Sequence, residues 1–398
     1  MDTDREALLG WVEAEKPAFV AFLRDFVRAK SPNPPGDTRE AAAHVTRFLE
    51  ERGLAYRVIA PQPEIPNVVA SFDGRGPGRH LVLNGHIDVF PVGDGFGWTR
   101  DPWGGEIVDG RIYGRGAADM KCGTSASIIT YALLHRIKHR LEGRLTLTAV
   151  SDEETFGPWG ARYLMEHHPE VHGDCLLNGE PSSPYTIRFG EKGPLWLEFT
   201  VRTPGAHGAY THASGSASKI AMRLAADLET LSEIAPELPH NVARAIDAGR
   251  EAMDTAMGEG ASAIMSRVTL NIGRIEGGLK VNMIPGQCRF EADIRLPVGV
   301  TKERVLGAVT TLLKGYPEAS MREIGCTEPS WCDPDGEMVG IIQGNVERLR
   351  GFRPVPTISL GGTDARLWRH ANVPAYVYGP FPRGMGSQDE HVEIEEFL

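Results

Sequence analysis

The sequence has few cysteines, and their arrangement suggests neither cross-links nor a metal framework. Its 398 residues contain five cysteines, an odd number, and no two of them are spaced as Cys-x-x-Cys. This pattern disfavours both a disulfide scaffold and a thiolate zinc site. A reducing compartment fits such a chain best, and we predict a cytoplasmic protein.

The sequence also lacks a long apolar run and a block of basic residues. No stretch is long and apolar enough to span a bilayer, and the N-terminal segment carries acids from its second residue, unlike a basic and then apolar export signal. The net charge is -11, with 42 Lys plus Arg against 53 Asp plus Glu. We therefore expect neither nucleic acid nor membrane as a partner.

The length and the order of the predicted elements indicate two domains. A chain of 398 residues exceeds what one hydrophobic core usually supports. Strand-like and helical patterns alternate in the first part and again near the C-terminus, which predicts an α/β layer with a central, mostly parallel sheet. Between these parts the order β-α-β-β-α-β predicts a ferredoxin-like α+β unit. We predict one domain of residues 1–188 and 329–398, interrupted by a second at 189–328.

Polar residues follow an apolar strand at positions 84–88, where the sequence reads NGHID. His86 and Asp88 are two positions apart, so on a strand they face the same side, and Asp88 can orient the imidazole or share its pocket. A satisfied histidine at a polar strand end explains this motif equally well when it is taken alone.

Acidic residues stand at three further positions after predicted strands or turns. Asp119 lies in a glycine-rich turn before a helix, where a helix cap would also explain it. Asp152, Glu153 and Glu154 directly follow an apolar strand. Consecutive acids repel one another unless cations or donors neutralise them, so a bound metal would explain them. The alternative is that they are solvated surface residues. Glu180 follows another apolar strand.

These clusters would lie along one edge of a parallel sheet, where α/β proteins place their sites. One histidine and several carboxylates suit Zn, Mn or Co, and a bridging aspartate would let two ions lie about 3.5 to 4 Å apart. We therefore expect two divalent metal ions, with zinc first and Mn or Co as alternatives. Cys122 as a nucleophile is a lesser alternative, since no triad partner is suggested, and the spacing of a phosphate loop is missing.

The motifs resemble those of the M20 metallopeptidase family, which includes acetylornithine deacetylase, succinyl-diaminopimelate desuccinylase, aminoacylases and glutamate carboxypeptidases, over nearly the whole chain. The resemblance implies a zinc-peptidase-like catalytic domain interrupted by a lid and dimerisation domain. It also implies that Glu153 is the general base for metal-activated water and that Asp88 supports the metal-binding histidine. The implied metal ligands are His86 and Glu180 for the first ion, Glu154 for the second, and Asp119 as the bridge.

The last metal ligand departs from the family's pattern. The family has a histidine about three residues before an Asp-Glu or Asn-Glu pair, and here Gly386 precedes Asp389 and Glu390 at that spacing. His391 is the only histidine nearby, so we carry the role over to it, which allows for a shifted loop. If His391 does not serve, the second ion lacks a protein ligand.

The resemblance extends to the predicted lid. His207 stands in a segment like the family's lid motif, whose histidine reaches into the neighbouring subunit's active site, and this implies a homodimer in which His207 stabilises the oxyanion. Asn282 and Arg295 resemble lid residues that hold the substrate, commonly at its carboxylate. Gly362 and Thr363 belong to a segment like the family's substrate-pocket loop. The alternative for His207, Asn282 and Arg295 is that they are solvated polar residues of the lid. The alternative for the loop is that its glycines only form a turn.

The implied function is metal-dependent amide hydrolysis that releases an acyl group or a terminal residue from a small, carboxylate-bearing substrate like an N-acyl amino acid. A dipeptidase or carboxypeptidase would use the same residues. Hydrolysis of another C–N bond in a small carboxylated molecule is a further alternative. A non-catalytic metal or peptide binder on the same fold is the alternative outside the enzymes.

Overall fold

The structure is a computed structural model that describes residues 2–398. Its helices are α1 (Asp2–Arg28), α2 (Arg39–Glu51), α3 (Lys121–Arg136), α4 (Ala161–His167), α5 (Ala217–Asp227), α6 (His240–Ala248), α7 (Arg250–Met257), α8 (Ala261–Ile264), α9 (Lys302–Leu313), α10 (Glu337–Arg350), α11 (Ala365–His370) and α12 (Ile394–Phe397). Short 3-10 helices occupy Lys138–Arg140, Pro169–Val171 and Leu228–Glu233.

The strands form a nine-stranded, a four-stranded, a three-stranded and a two-stranded sheet within the described residues. They are β1 (Arg57–Ile59), β2 (Asn67–Asp73), β3 (His80–His86), β4 (Glu106–Val108), β5 (Arg111–Tyr113), β6 (Arg144–Val150), β7 (Cys175–Asn178), β8 (Thr186–Glu191), β9 (Gly193–Arg202), β10 (Ala206–His207), β11 (Thr269–Gly277), β12 (Met283–Ile284), β13 (Gln287–Leu296), β14 (Ala319–Cys326), β15 (Ser330–Trp331), β16 (Val355–Ser359), β17 (Ala375–Val377) and β18 (His391–Glu393).

The large sheet has the order β1-β2-β6-β3-β7-β17-β8-β15, with β16 paired to β8. Its central strands β6, β3, β7 and β17 are parallel, and antiparallel pairs flank them. Both faces are covered, which is why the strands read as nearly continuous apolar runs. Val68 and Ala70 of β2 join a core with α1, α2 and α3, while Val69 between them faces a second core with α4 and α11. The predicted α/β class is confirmed.

Buried polar side chains fix the register of the central strands just before they end. Asn84 of β3 lies opposite Thr148 of β6 and Asn178 of β7. The Asn84 side-chain amide donates to the Thr148 hydroxyl at 3.2 Å, and the Asn178 amide donates to the Asn84 oxygen at 2.7 Å. A slip of one residue would point these side chains to the other face. The register therefore fixes the chain segments that follow β3, β6 and β7 beside one another.

The four-stranded antiparallel sheet has the order β11-β13-β9-β14 and carries α5 and α9 in its core. The burial of β13 alternates strictly along the strand, so one face meets the helices and the other does not. In sequence these elements run β9, α5, β11, β13, α9, β14, which is the predicted ferredoxin-like order.

One part of the span 189–328 packs with the large sheet. Val242 and Ile246 of α6 and Met253 of α7 share a core with Ile187 and Phe189 of β8. Helices α6 and α7 were not predicted from the sequence. The division of the chain at residues 189 and 328 stays a prediction. No helix within residues 2–398 has the length and apolar character needed to cross a membrane.

Candidate functional site

Three predicted ligands meet at the ends of the central strands. Nε2 of His86 lies 3.3 Å from a carboxylate oxygen of Asp119 and 3.3 Å from one of Glu180. The potential ligand atoms of the three residues all lie within 4.8 Å of one another. Glu154 and His391 do not belong to this group, which was sought among the described residues. One imidazole and two carboxylates so arranged match the ligands that a divalent metal ion takes.

A close approach of backbone places Asp119 and Glu180 together. Helix α3 follows Asp119, and its Gly123 packs directly on the backbone of Gly179, next to Glu180. A Cβ atom at Gly123 would lie 1.9 Å from the Gly179 carbonyl oxygen. Any side chain at position 123 would therefore push the Asp119 turn away from Glu180.

Glu390 holds the Asp119 turn from the other side. Its buried Oε1 accepts hydrogen bonds from the backbone N–H groups of Ala118 and Asp119, both at 2.9 Å. Its Oε2 accepts from Nη1 of Arg115 at 2.6 Å. Glu390 was not among the predicted site residues, and nothing in its sequence context indicated this supporting role.

The backbone of Asp88 contacts the imidazole of His86, whereas the supporting role of Asp88 toward a metal-binding histidine stays a prediction. Nδ1 of His86 lies 2.8 Å from the Asp88 carbonyl oxygen, and the Asp88 carboxylate lies 3.5 Å from the same nitrogen. When Nδ1 donates to that carbonyl, Nε2 presents its lone pair to Asp119 and Glu180. This is the tautomer that a metal ligand requires.

Glu153 and Glu154 follow β6 in a tight turn beside Asp88. The backbone N–H of Glu154 donates to Oδ2 of Asp88 at 3.2 Å, and Glu153 is buried. Asn33 connects the two acidic segments, because its side-chain amide donates to Oδ2 of Asp88 at 2.9 Å and to Oδ1 of Asp152 at 3.2 Å. Sequence reasoning missed Asn33, which stands in a proline-rich loop far from the other motifs and gave no signal there.

The electrostatics show that the crowded carboxylates are costly to ionise without a cation. Burial, followed by the charge of Asp119, raises the pKa of Glu180 to about 7. Burial likewise raises the pKa values of Glu153 and Glu154 well above their ordinary range. Burial disfavours a charged His86 ring, but Glu180, Asp119 and Asp88 outweigh it and raise the pKa of His86. A bound divalent cation would stabilise the ionised carboxylates.

Unpartnered polar atoms also fit a cation. Nε2 of His86 and Oε1 of Glu154 are buried and make no hydrogen bond with any residue in the described part of the chain. Buried polar atoms are nearly always paired, so each such atom calls for an explanation. Metal ions would accept a lone pair from each of these atoms. The residues present therefore fit bound metal ions.

The predicted lid residues lie on β10, on β13 and in the turn before β12. His207 and Met283 pair across β10 and β12, and the carbonyl of Asn282 accepts from the N–H of Gly208 at 2.8 Å. Both His207 and Asn282 are exposed. Arg295 on β13 is paired with Asp293, at 3.0 Å between Nε and Oδ1. Their roles toward a substrate stay predictions.

The predicted pocket loop is engaged with the protein itself. Thr363 donates its backbone N–H and its hydroxyl to the two carboxylate oxygens of Glu191, at 3.0 and 2.8 Å. A Cβ atom at Gly362 would lie 2.8 Å from the ring of Phe156. The small residue at position 362 thus allows the Phe156 ring to pack on the loop, and substrate contact by this loop stays a prediction.

His391 lies on β18, which pairs with β5 in the three-stranded sheet. Its ring centroid is 4.8 Å from that of Tyr113, and its Nδ1 is 2.9 Å from the Asp389 carbonyl oxygen. Gly386 has a positive φ of 69° and accepts a hydrogen bond from Arg115 at its carbonyl, at 3.3 Å. Coordination by His391 stays a prediction.

Comparison with known proteins decides the family. A sequence profile of peptidase family M20/M25/M40 matches residues 82–398. This chain belongs to that family. A curated M20-type relative, a succinyl-diaminopimelate desuccinylase of Cereibacter sphaeroides, is 31% identical over 394 residues, with 95% of this chain and 94% of the relative covered. This M20 chain is accordingly a metallo-hydrolase that acts on amide bonds.

Solved structures of the family share the fold. The M20 family metallo-carboxypeptidase Sso-CP2 of Sulfolobus solfataricus superposes with a TM-score of 0.80 at 18% identity and covers 95% of each chain. The YXEP protein of Bacillus subtilis, described as a dinuclear metal binding peptidase, gives a TM-score of 0.64 at 18% identity, with 92% of this chain and 89% of that chain covered. At these identities the likeness establishes the fold of this M20 hydrolase and nothing finer.

Proposed function

We propose that this metallo-hydrolase removes the acyl group from a small, carboxylate-bearing N-acyl amino acid. The observation that carries the proposal is the meeting of His86, Asp119 and Glu180 at the strand ends, with the buried Glu153 on the adjoining turn. The full-length similarity to a succinyl-diaminopimelate desuccinylase favours an acyl-amino acid over a peptide. A dipeptidase or carboxypeptidase is the second candidate, because it would use the same residues and the matching profile is that of a peptidase family.

Two divalent ions are proposed, with zinc first and Mn or Co as alternatives. His86, Asp119 and Glu180 would hold the first ion, and Asp119 and Glu154 would share the second. The unpartnered Oε1 of Glu154 supports this second position. His391, whose ring lies against that of Tyr113 and outside the group at His86, is the residue proposed to complete the second ion. We therefore expect the second ion to bind more weakly than the first.

The chain's own residues supply the proton transfers. A bound divalent cation lowers the pKa of a water molecule and polarises a carbonyl group. Glu153 would take a proton from the attacking water and pass it to the nitrogen of the leaving amine. Asp88 keeps the imidazole of His86 in the required tautomer, and His207 from a second subunit would donate to the developing oxyanion. Arg295 and Asn282 would hold the substrate carboxylate, because a guanidinium forms a planar fork that matches a carboxylate.

A substrate panel tests the acyl preference. Purified enzyme with added Zn, Mn or Co should release amine from succinyl- and acetyl-amino acids with a kcat/KM about tenfold or more above that for dipeptides of the same amino acids. Amine release can be followed with a fluorogenic amine reagent. Faster turnover of the dipeptides would favour the second candidate, and no turnover of any amide would contradict both.

We propose that the protein is a cytoplasmic homodimer. A mixing experiment tests the homodimer. His207 is exposed on β10 and lies outside the group at His86, and we propose that a second subunit brings a His207 to that group. His207→Ala should lower kcat about 10²- to 10³-fold, the usual loss for one oxyanion donor. Refolding this variant together with Glu153→Gln should restore roughly a quarter of the activity, because each mixed dimer has one intact site.

The restored activity requires active sites that are built from two subunits, so a monomeric enzyme would not show it. If the two variants stay inactive after mixing, although sedimentation shows mixed dimers, His207 acts within its own subunit or not at all. A fully active monomer would likewise contradict the proposal.

A further inference from the structure

Arg366 lies directly beside the buried carboxylate of Glu153. Nη1 of Arg366 is 3.4 Å from Oε1 of Glu153, and their side chains are 3% and 8% exposed. The two residues are far apart in sequence and come from a turn after β6 and from helix α11. A buried guanidinium at this distance interacts strongly with a carboxylate, because little water screens the pair.

The guanidinium is fixed by groups other than Glu153. Nη1 of Arg366 also donates to the Thr363 carbonyl oxygen at 2.5 Å. The guanidinium carbon lies 4.4 Å from the centroid of the Phe156 ring, so the ring covers its face. The N–H of Phe156 donates to the Glu153 carbonyl oxygen at 2.7 Å. One turn therefore carries both the carboxylate and the aromatic ring that flank Arg366.

A buried carboxylate anchors the loop that carries Arg366. Glu191 accepts from the N–H and hydroxyl of Thr363, and its Oε2 also accepts from Nη1 of Arg369 at 2.9 Å. Glu191 and Arg369 have side chains that are 2% and 1% exposed. The position of Arg366 is thus set by hydrogen bonds and ring contacts within the protein.

Arg366 places a buried cationic group beside Glu153, and the acid Asp364 is buried in the same loop as Arg366. A lysine would supply the charge, but its single ammonium on a flexible stem would not reproduce the flat contact with Phe156.

We propose that Arg366 is a positioning residue that sets the orientation of the Glu153 carboxylate for proton transfer. The inference rests on the proposed role of Glu153 as general base. Arg366 does not itself contact the substrate, since its side chain is 3% exposed and lies under Phe156. It acts by holding one oxygen of Glu153, which leaves the other free to face the reacting water.

Kinetics of Arg366→Met and Arg366→Lys test the proposal. Arg366→Met should lower kcat about 10²-fold with little change in KM, because a base displaced by about 1 Å loses activity on this scale. Arg366→Lys should recover part of the lost kcat. The metal content of both variants should equal that of the wild type, since Arg366 binds no ion. Arg353→Met, which removes an exposed pair with Glu347, is the control and should change neither kcat nor metal content.

A double variant separates positioning from a structural role. Arg366→Met added to Glu153→Gln should cause no further loss of kcat, because Arg366 acts through Glu153. A further loss of the full size seen in the single variant, or a change confined to KM, would overturn the proposal. If Arg366→Met does not fold, Phe156→Leu provides the test, and it should lower kcat in the same non-additive way. Near-normal turnover by Glu153→Gln would instead refute the role of Glu153 itself, which is a different outcome.

Discussion

Glu153→Gln should lower kcat about 10²- to 10⁴-fold, which is the range that general bases contribute. The amide is nearly the same size as the carboxylate, so the buried turn should keep its shape, but it cannot accept the proton of the attacking water. Metal content should stay at the wild-type level, since Glu153 is not among the proposed ligands. Steady-state kinetics and elemental analysis of the same preparation measure both quantities.

Two matched variants sharpen this result. Glu154→Gln, one residue along, should lower the metal content, because Glu154 is a proposed ligand of the second ion. Glu166→Gln, on the exposed side of α4, should leave both turnover and metal content unchanged. If Glu153→Gln retained near-normal kcat, the proton transfer assigned to Glu153 would be wrong.

Removal of the metal should abolish turnover and lower the thermal stability of the folded chain. Binding to the folded state alone raises the free energy of unfolding by about 2.7 kcal/mol when free metal is at 100 times its Kd. The midpoint of thermal unfolding should therefore rise as Zn, Mn or Co is titrated into chelator-treated protein. His86→Ala should lose most of this rise, because it removes the imidazole that faces Asp119 and Glu180.

His80→Ala is the matched control for the metal experiment. His80 begins the strand that ends at His86, and its Nε2 lies 2.7 Å from the Thr146 hydroxyl. This variant should keep the metal-dependent rise of the unfolding midpoint. A wild-type protein that neither gains stability from divalent ions nor loses turnover with a chelator would exclude the proposed metal site.

The second proposed ion has the less complete set of ligands. Gly386 contributes only a carbonyl that already accepts from Arg115, and His391 lies against Tyr113. The first site needs neither residue. Metal titration by calorimetry should then show two classes of site, and equal affinities would show that His391 or another group completes the second site.

The central strands and their acidic ends were predictable because both depend on local patterns. Apolar runs of strand length ended in polar residues at His86, Glu153 and Glu180, and parallel strands bring such ends to one edge. The β-α-β-β-α-β order of the elements in and around the four-stranded sheet was predictable in the same way. By contrast, the helices at residues 240–264 pack on Ile187 and Phe189, and no pattern within them indicated this partner.

The groups that support the site were not predictable from the sequence. Asn33 joins Asp88 to Asp152, and Glu390 holds the N–H groups at Ala118 and Asp119. Each of these contacts links segments that are far apart in sequence. Periodicity reports only which face of an element is buried, so it does not reveal which distant side chain meets that face.

The amino-acid sequence by itself determined the fold class, the family and the set of acids and imidazole available to a metal, because these follow from short-range pattern and residue type. Only the tertiary structure decided which of these groups meet, that His391 rests on Tyr113, and that Arg366 lies beside Glu153. The physical reason is that ligand geometry and electrostatic coupling depend on distances of a few ångströms between remote segments. Those distances are set by the packing of the whole chain.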